Sequence, residues 1–205
     1  MAETKPSRPP IGRCNDARMT PTPSERPAGA TEIHLAHTAE LDTATLKAAR
    51  ILLYDVFDDM TAEDWEHSLG GLHALVHEGG ELIGHAAVVQ RRLLHNGRAL
   101  RCGYVEGVGV RADRRGQGHG AAMMDALEQV IHNAYDLGAL GAADEAATFY
   151  AARGWQLWRG PSSALTPDGV QRTPEEDGAL HVLATSAPLD LEGELTCDWR
   201  EGDVW

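Results

Sequence analysis

From Thr31 onward, apolar and polar positions fall into regular patterns. Ile33 and Leu35 alternate with polar neighbours and predict a short first strand. Asp42 or Thr43 is placed to cap a helix whose Leu46, Ala49, Leu53 and Val56 share one face. Thr61-Ala-Glu-Asp64 has the form of a capping box before a short helix carrying Trp65. Gly71–His77 and Glu81–Leu94 read as strands joined by Gly79-Gly80, and Asn96-Gly97 is a second hairpin signal leading into Ala99–Val110. These runs predict an antiparallel meander. Met123, Leu127, Val130, Ile131 and Ala134 then line one face of a helix reaching to about Leu137. Ala139–Ala142 is a short strand, Asp144 caps a helix through Ala152, Gly154 ends it, and Trp155–Trp158 begins another strand. Thr166-Pro-Asp-Gly169 is a turn, and Leu180–Leu183 is the last strand of the reading. The fold class this implies is α/β, a mixed central sheet of about six to seven strands with flanking helices, forming one domain over residues 31–205. Residues 1–30 hold six of the ten prolines and no apolar period. They read as a disordered leader, within which Met19 is an alternative start.

The stretch Val108–Gly120 carries the first chemistry. An apolar strand ends at Val110, a turn carries Arg111, Arg114 and Arg115, and Gly116, Gly118 and Gly120 open the long helix. Glycines at a helix start leave backbone N–H groups uncovered at the positive end of the helix dipole, which suits a phosphate or pyrophosphate. A Walker A loop is absent from the sequence. The pattern Gly-x-Gly-x-x-Gly/Ala occurs at 107–112 and 116–121, but the first match lies inside a strand. The second follows the strand only after the basic turn, and Asp136, about where a ribose-binding acid would stand, ends a helix instead of a strand. Arg115-Gly116-Gln117-Gly118-His119-Gly120 fits a third pattern, Arg/Gln-x-x-Gly-x-Gly/Ala.

The strand entering that loop reads Tyr104-Val-Glu-Gly-Val-Gly-Val110. Two glycines inside a strand point to a bulge or to the close approach of a ligand. Glu106, beside them, is an acid in an apolar strand and needs partners. It reads either as a general base or as an anchor for a substrate amine. His73 and His77 have a metal-like spacing, yet on a strand they stand about 13 Å apart and cannot share one ion, so no metal is expected.

Composition narrows the partners. The formal charge of −13 argues against nucleic acid and anionic membrane surfaces. The stretch from Thr166 to Trp205 has ten acids against Arg172 and Arg200, a surface that can attract a polycation. The basic turn reverses that sign at the glycine loop. Cys14, Cys102 and Cys197 form neither a disulfide framework nor a Cys-x-x-Cys site, and Cys102 reads as a core residue. With no apolar segment suited to export or membrane spanning, a cytoplasmic protein is expected.

The glycine loop after a Val-x-Val strand resembles the acetyl-coenzyme-A loop of the GNAT acetyltransferase superfamily. Phe149-Tyr150-Ala-Ala-Arg-Gly154-Trp155 resembles the second signature of that superfamily. Within it, Trp65-Glu-His-Ser-Leu-Gly-Gly71, His85-Ala-Ala-Val, Gln90-Arg-Arg-Leu93, Ala99–Gly107 and the tail Cys197–Trp205 look like the aminoglycoside 2'-N-acetyltransferases. The resemblance spans residues 31–205. It implies the GNAT fold, acetyl-coenzyme A as acetyl donor with coenzyme A as product, and an aminoglycoside or similar polycationic amine as acceptor. It also implies a homodimer.

By the same resemblance, Val108, Gly109 and Val110 would meet the pantetheine arm, and Arg115, Gly116, Gln117, Gly118, His119 and Gly120 the pyrophosphate. Asp59, Glu106, Gly107, Gly141, Glu175, Glu176, Asp203 and Trp205 would surround the aminoglycoside. Gly141 stands where that family has serine, and Glu175 and Glu176 where it has aspartates. Glu106 or the Trp205 carboxylate would be the base and Tyr150 the general acid. Acetylation of another amine, or a non-catalytic binding module, are the alternatives that the residues alone leave open.

Overall fold

A computed structural model describes residues 31–205. The expectations for residues 1–30 and for Cys14 lie outside the described residues. Ten strands and four α-helices follow in the order β1 (Thr31–His37), α1 (Thr43–Val56), α2 (Ala62–His67), β2 (Leu72–Glu78), β3 (Glu81–His95), β4 (Arg98–Val110), α3 (His119–Ala134), β5 (Leu137–Gly141), α4 (Asp144–Ala152), β6 (Gln156–Leu157), β7 (Ser162–Thr166), β8 (Gly169–Arg172), β9 (Leu180–Ala184) and β10 (Leu195–Asp198). The strands form one mixed sheet, β6-β9-β5-β4-β3-β10-β7-β8, with β2 and then β1 on the other half of β3.

The seven expected strands are all present, and β7, β8 and β10 are additional. They are short, and β8 is exposed along its whole length, so it carries no apolar alternation. Two boundaries also move. Helix α3 stops at Ala134 and Leu137 already belongs to β5, because Asp136 crosses to β4 and accepts the Arg101 backbone N–H at 2.8 Å. Asp144 is the first residue of α4 and not its cap. Ala143 holds the cap position with no side-chain hydrogen bond.

The caps of α1 and α2 form as their residues predict. Asp42 accepts the Thr45 N–H at 2.8 Å, and Thr61 and Asp64 close a reciprocal capping box. Helix α3 lays Met123, Met124, Leu127 and Ile131 on one face of the sheet, against Val76, Ile83, Val88 and Val105. A second apolar cluster fills the other face between Tyr104, Leu137, Trp158, Val182, Leu195, Cys197 and Trp205. Cys102 belongs to this core, and burial pushes its thiol far above the ordinary range, away from any nucleophilic use. Among the described residues, no helix is long and apolar enough to cross a membrane.

Two irregularities position the site. First, β4 pairs with β5 only from Cys102 to Tyr104, and from Val105 onward the strands separate. Second, the β3–β4 register jumps from Ala87↔Glu106 to His85↔Gly109. Gly107 and Val108 together oppose one residue, and Gly107 takes φ +54°, a left-handed conformation that glycine reaches without steric cost. The bulge turns Tyr104, Glu106, Gly107 and Gly109 to the α1 side, with a Cβ at Gly109 meeting Leu53 at 3.0 Å. Val105, Val108 and Val110 pack on the α3 side.

Candidate active site

Where β4 leaves β5, a cavity of about 440 Å³ opens. Its acids are Asp59, Asp64, Glu106, Glu176 and Asp203. Tyr104, Gly107, Val108, Gly141, Tyr150, Arg200 and Trp205 also line it. Of the residues expected around an amine, only Glu175 is missing from the wall. It stands behind Glu176 on a short 3₁₀ turn, Pro174–Glu176.

Glu106 lies on the cavity floor with 14% of its side chain exposed. Burial pushes its carboxyl pKa up, and the ion pair with Arg200 opposes that push. Arg200 also donates to the backbone oxygens of Asp203 and Trp205. Glu176 is lifted to about 7 by burial and by the neighbouring charges of Asp203 and Glu175. Tyr150 is packed edge-on against Phe149 and Trp155, and burial raises its phenol to about 12, so at neutral pH it is a proton donor. Helix α4, which carries Tyr150, is braced to α3 by Arg153 on Glu128 and Asp125. The indole of Trp155 adds a bond to Glu128 at 2.8 Å.

The tail docks through one of its two tryptophans. Trp205 is 4% exposed, and its indole donates to Thr173 Oγ1 at 2.9 Å beneath the acidic turn. Arg91 holds the neighbouring backbone at Val204 and Asp198 and pairs with the Asp198 carboxylate at 2.8 Å. Trp199 points outward and is 45% exposed, so it adds nothing to the anchoring.

At the far end of the split, the N-terminus of α3 is built as the glycines predict. Gly116 and Gly118 take φ +74° and +86°, nothing stands within 4 Å of a Cβ at either, and Gly118 caps the helix without a side chain. Among the described residues, the backbone N–H groups from Gly116 to Ala121 have no hydrogen-bond acceptor. The basic turn, however, does not reverse the local sign as composition suggested. Antiparallel pairing of β3 with β4 carries the β2–β3 hairpin beside the turn. Arg111 pairs with Glu81 and Asp113, and Arg114 pairs with Glu78 and Asp113. Arg115 instead donates to the Val110 carbonyl at 3.2 Å. Arg115 and the bare amides are thus left for an anion.

Sequence reasoning missed a chain of hydrogen bonds under the bulge. His85 Nδ1 lies 2.8 Å from the Gly107 carbonyl, His85 Nε2 lies 2.9 Å from His73 Nδ1, and His73 Nε2 lies 2.8 Å from Thr38 Oγ1. A carbonyl only accepts, so His85 Nδ1 carries hydrogen. Its neutral Nε2 must then accept from His73 Nδ1–H, and His73 Nε2 accepts from the Thr38 hydroxyl. Burial holds both rings neutral, with pKa about 4. The partner of His73 is therefore His85 across the sheet. His77, the other half of the metal-like spacing, takes no part in the chain.

The acetyltransferase (GNAT) domain family matches residues 40–158. An aminoglycoside 2'-N-acetyltransferase from Mycolicibacterium fortuitum is 55% identical over 176 residues, which is 83% of this chain and 90% of that protein. Among solved structures, a GNAT family N-acetyltransferase (YhbS) from Escherichia coli in complex with CoA superposes with a TM-score of 0.57 at 16% identity, covering 86% of this chain and 93% of that one. An acyl-CoA N-acyltransferase from Pseudomonas aeruginosa gives 0.54 at 16% identity, over 76% of this chain and 100% of its own. The split between β4 and β5, the helix opened by glycines and this relationship agree: the chain belongs to the GNAT acetyltransferases and, among them, to the family of the aminoglycoside 2'-N-acetyltransferases.

Proposed function

We propose that the chain transfers the acetyl group of acetyl-coenzyme A directly to the 2'-amine of an aminoglycoside. The observation that carries this reading is that one cavity, at the mouth of the β4–β5 split, gathers Glu106, Tyr150 and the acids Asp59, Glu176 and Asp203. The fold alone would leave the acceptor open. A cavity this rich in carboxylates suits a polycation.

The coenzyme supplies an activated thioester. The unpartnered amides from Gly116 to Gly120, with Arg115 beside them, fit its pyrophosphate, and the edge of β4 left unpaired by β5 at Val108, Gly109 and Val110 fits the extended arm. The acids in the wall then orient the sugar so that a single amine faces the thioester. An ammonium has no lone pair, so Glu106, raised by burial, takes its proton. Tyr150, held protonated, returns a proton to the leaving sulfur. The amide of Val108, in the bulge that the β3 register skips, is the donor assigned to the carbonyl oxygen. Among the described residues, the cavity wall holds neither cysteine nor serine, which favours direct transfer. A homodimer in the cytoplasm belongs to the same proposal, and light scattering of the purified protein tests the dimer.

The decisive experiment measures coenzyme A thiol release with aminoglycosides bearing either an amine or a hydroxyl at the 2' position. Product NMR follows. The amines are expected to turn over and to be acetylated once, at that nitrogen. Efficient use of the hydroxyl compounds, or acetyl groups mainly on another ring, would overturn the assignment.

A further inference from the structure

Tyr104 is 1% exposed, yet it lines the cavity, and its hydroxyl has no hydrogen-bond partner among the described residues. Two guanidinium groups lie over its ring, Arg91 at 4.8 Å and Arg200 at 5.5 Å from the centroid. It is also the last residue of β4 to pair with β5, opposite Ala139. The hydroxyl therefore stands where the sheet begins to part. The space beside it is kept by Gly141, where a Cβ would meet a single neighbour within 4 Å, the Tyr104 hydroxyl itself at 3.8 Å. Glu106 is two residues along the same face.

We infer that the Tyr104 hydroxyl is a substrate contact that donates a hydrogen bond to a neutral oxygen of the amine substrate, in a subsite left open by Gly141. The inference rests on the proposed substrate and names a contact within it. Burial and the nearby Glu106 hold the phenol far above its ordinary pKa, so it offers a hydrogen. The two guanidinium groups on its ring disfavour an ammonium at this point and suit an uncharged acceptor, a hydroxyl or ether oxygen of the sugar. The ammonium groups are left to Asp59, Glu106, Glu176 and Asp203. A buried hydroxyl without a partner costs stability in the free protein. A group kept at such a cost in the wall of a cavity has the character of a binding residue.

The test is Tyr104→Phe, which keeps the ring and both guanidinium contacts. The ligand-free variant is expected to melt higher than the wild-type protein. Its KM for aminoglycoside should rise about tenfold, the effect of losing one hydrogen bond of about 1.4 kcal/mol, with the KM for acetyl-coenzyme A unchanged. Gly141→Ala, which fills the space without touching the fold, should likewise raise the aminoglycoside KM and leave melting unchanged. Congeners that each lack one sugar oxygen locate the acceptor. One of them should bind more weakly than its parent to the wild-type protein and equally well to Tyr104→Phe. A lower melting temperature with unchanged KM would show a structural hydroxyl and overturn the inference. A rise confined to the acetyl-coenzyme A KM would assign the hydroxyl to the acyl donor and overturn it equally. Failure of the wild-type protein to release thiol with any aminoglycoside would instead sink the substrate reading, and the melting comparison would still report on the hydroxyl.

Discussion

Arg200 closes on Glu106 at the floor of the cleft, and the two side chains are 15% and 14% exposed. This pairing links the tail to the central strand and sets the basicity of the carboxylate. Burial and Asp203 push the Glu106 pKa up, and Arg200 is the main force pulling it down. Arg200→Ala is therefore expected to move the acidic limb of the kcat/KM profile to higher pH. One pKa unit would cost about tenfold in ionised Glu106 on that limb. Arg200→Lys should restore part of the shift. A single ammonium replaces the charge but not the planar fork that also reaches Asp203 and Trp205. An acidic limb that stays in place would show that Arg200 does not tune Glu106.

Tyr150→Phe preserves the edge contacts with Phe149 and Trp155 and removes only the proton donor. Turnover should fall by roughly a hundredfold, the lower end for loss of a general acid. The KM for acetyl-coenzyme A should hold, because the amides at the α3 terminus are untouched. Steady-state kinetics decide it, and wild-type turnover would remove Tyr150 from the mechanism.

Glu176, with its pKa at about 7, is half protonated at neutral pH in the free protein. A bound polycation favours the ionised form, so affinity for aminoglycoside should strengthen as pH rises through 7. Glu176→Gln should flatten that rise. Titration calorimetry at pH 6, 7 and 8 provides the comparison. An equal rise in both proteins would assign the effect elsewhere.

The hydrogen-bonded pair His73 and His85 makes stability depend on pH. Their folded pKa of about 4 lies below the unfolded value of about 6.5, so the folded state resists their protonation. The stability they contribute is complete above about 6.5 and is lost as pH falls toward 4. His67 and His77, also lowered by burial, add a change of the same sign. Urea midpoints should therefore fall between pH 6.5 and 5, before most carboxylates titrate. The double variant His73→Gln, His85→Gln should lose much of that slope while starting from a lower midpoint. A wild-type midpoint flat across the window would contradict the neutral chain.

The sequence made the meander and α3 legible because their apolar residues recur at one period and face one core. The same logic failed for β7, β8 and β10. Ser162 and Ser163 are buried through hydrogen bonds to Asp177 and Glu194, and β8 has no buried face. Periodicity is blind to strands held by polar contacts, and β10, which does bury Leu195 and Cys197, is only four residues long and too short to show a period. In the site, the glycines and Glu106 stood out as misfits in an apolar strand. Arg200 did not, since an arginine in an acidic tail reads as a counter-charge. Its sequence signal was scarcity, as one of two cations after Thr166. The pairing of His73 with His85 was beyond reach, because it depends on the β2–β3 register and not on spacing along one strand.

The bulge at Gly107 and Val108 works as a frameshift within β4. Residues before it and after it count their two faces from different origins. Replacing a side chain there alters one position. Inserting a residue after Gly107 would send Val108 and Val110 toward α1 and turn Gly109 toward α3, whereas removing Gly107 would abolish the bulge and leave their faces as they are. The cleft therefore tolerates changes of letter far better than changes of length. A substitution between Tyr104 and Val110 retunes one contact of the cleft, whereas an added residue there re-aims the side chains that follow it.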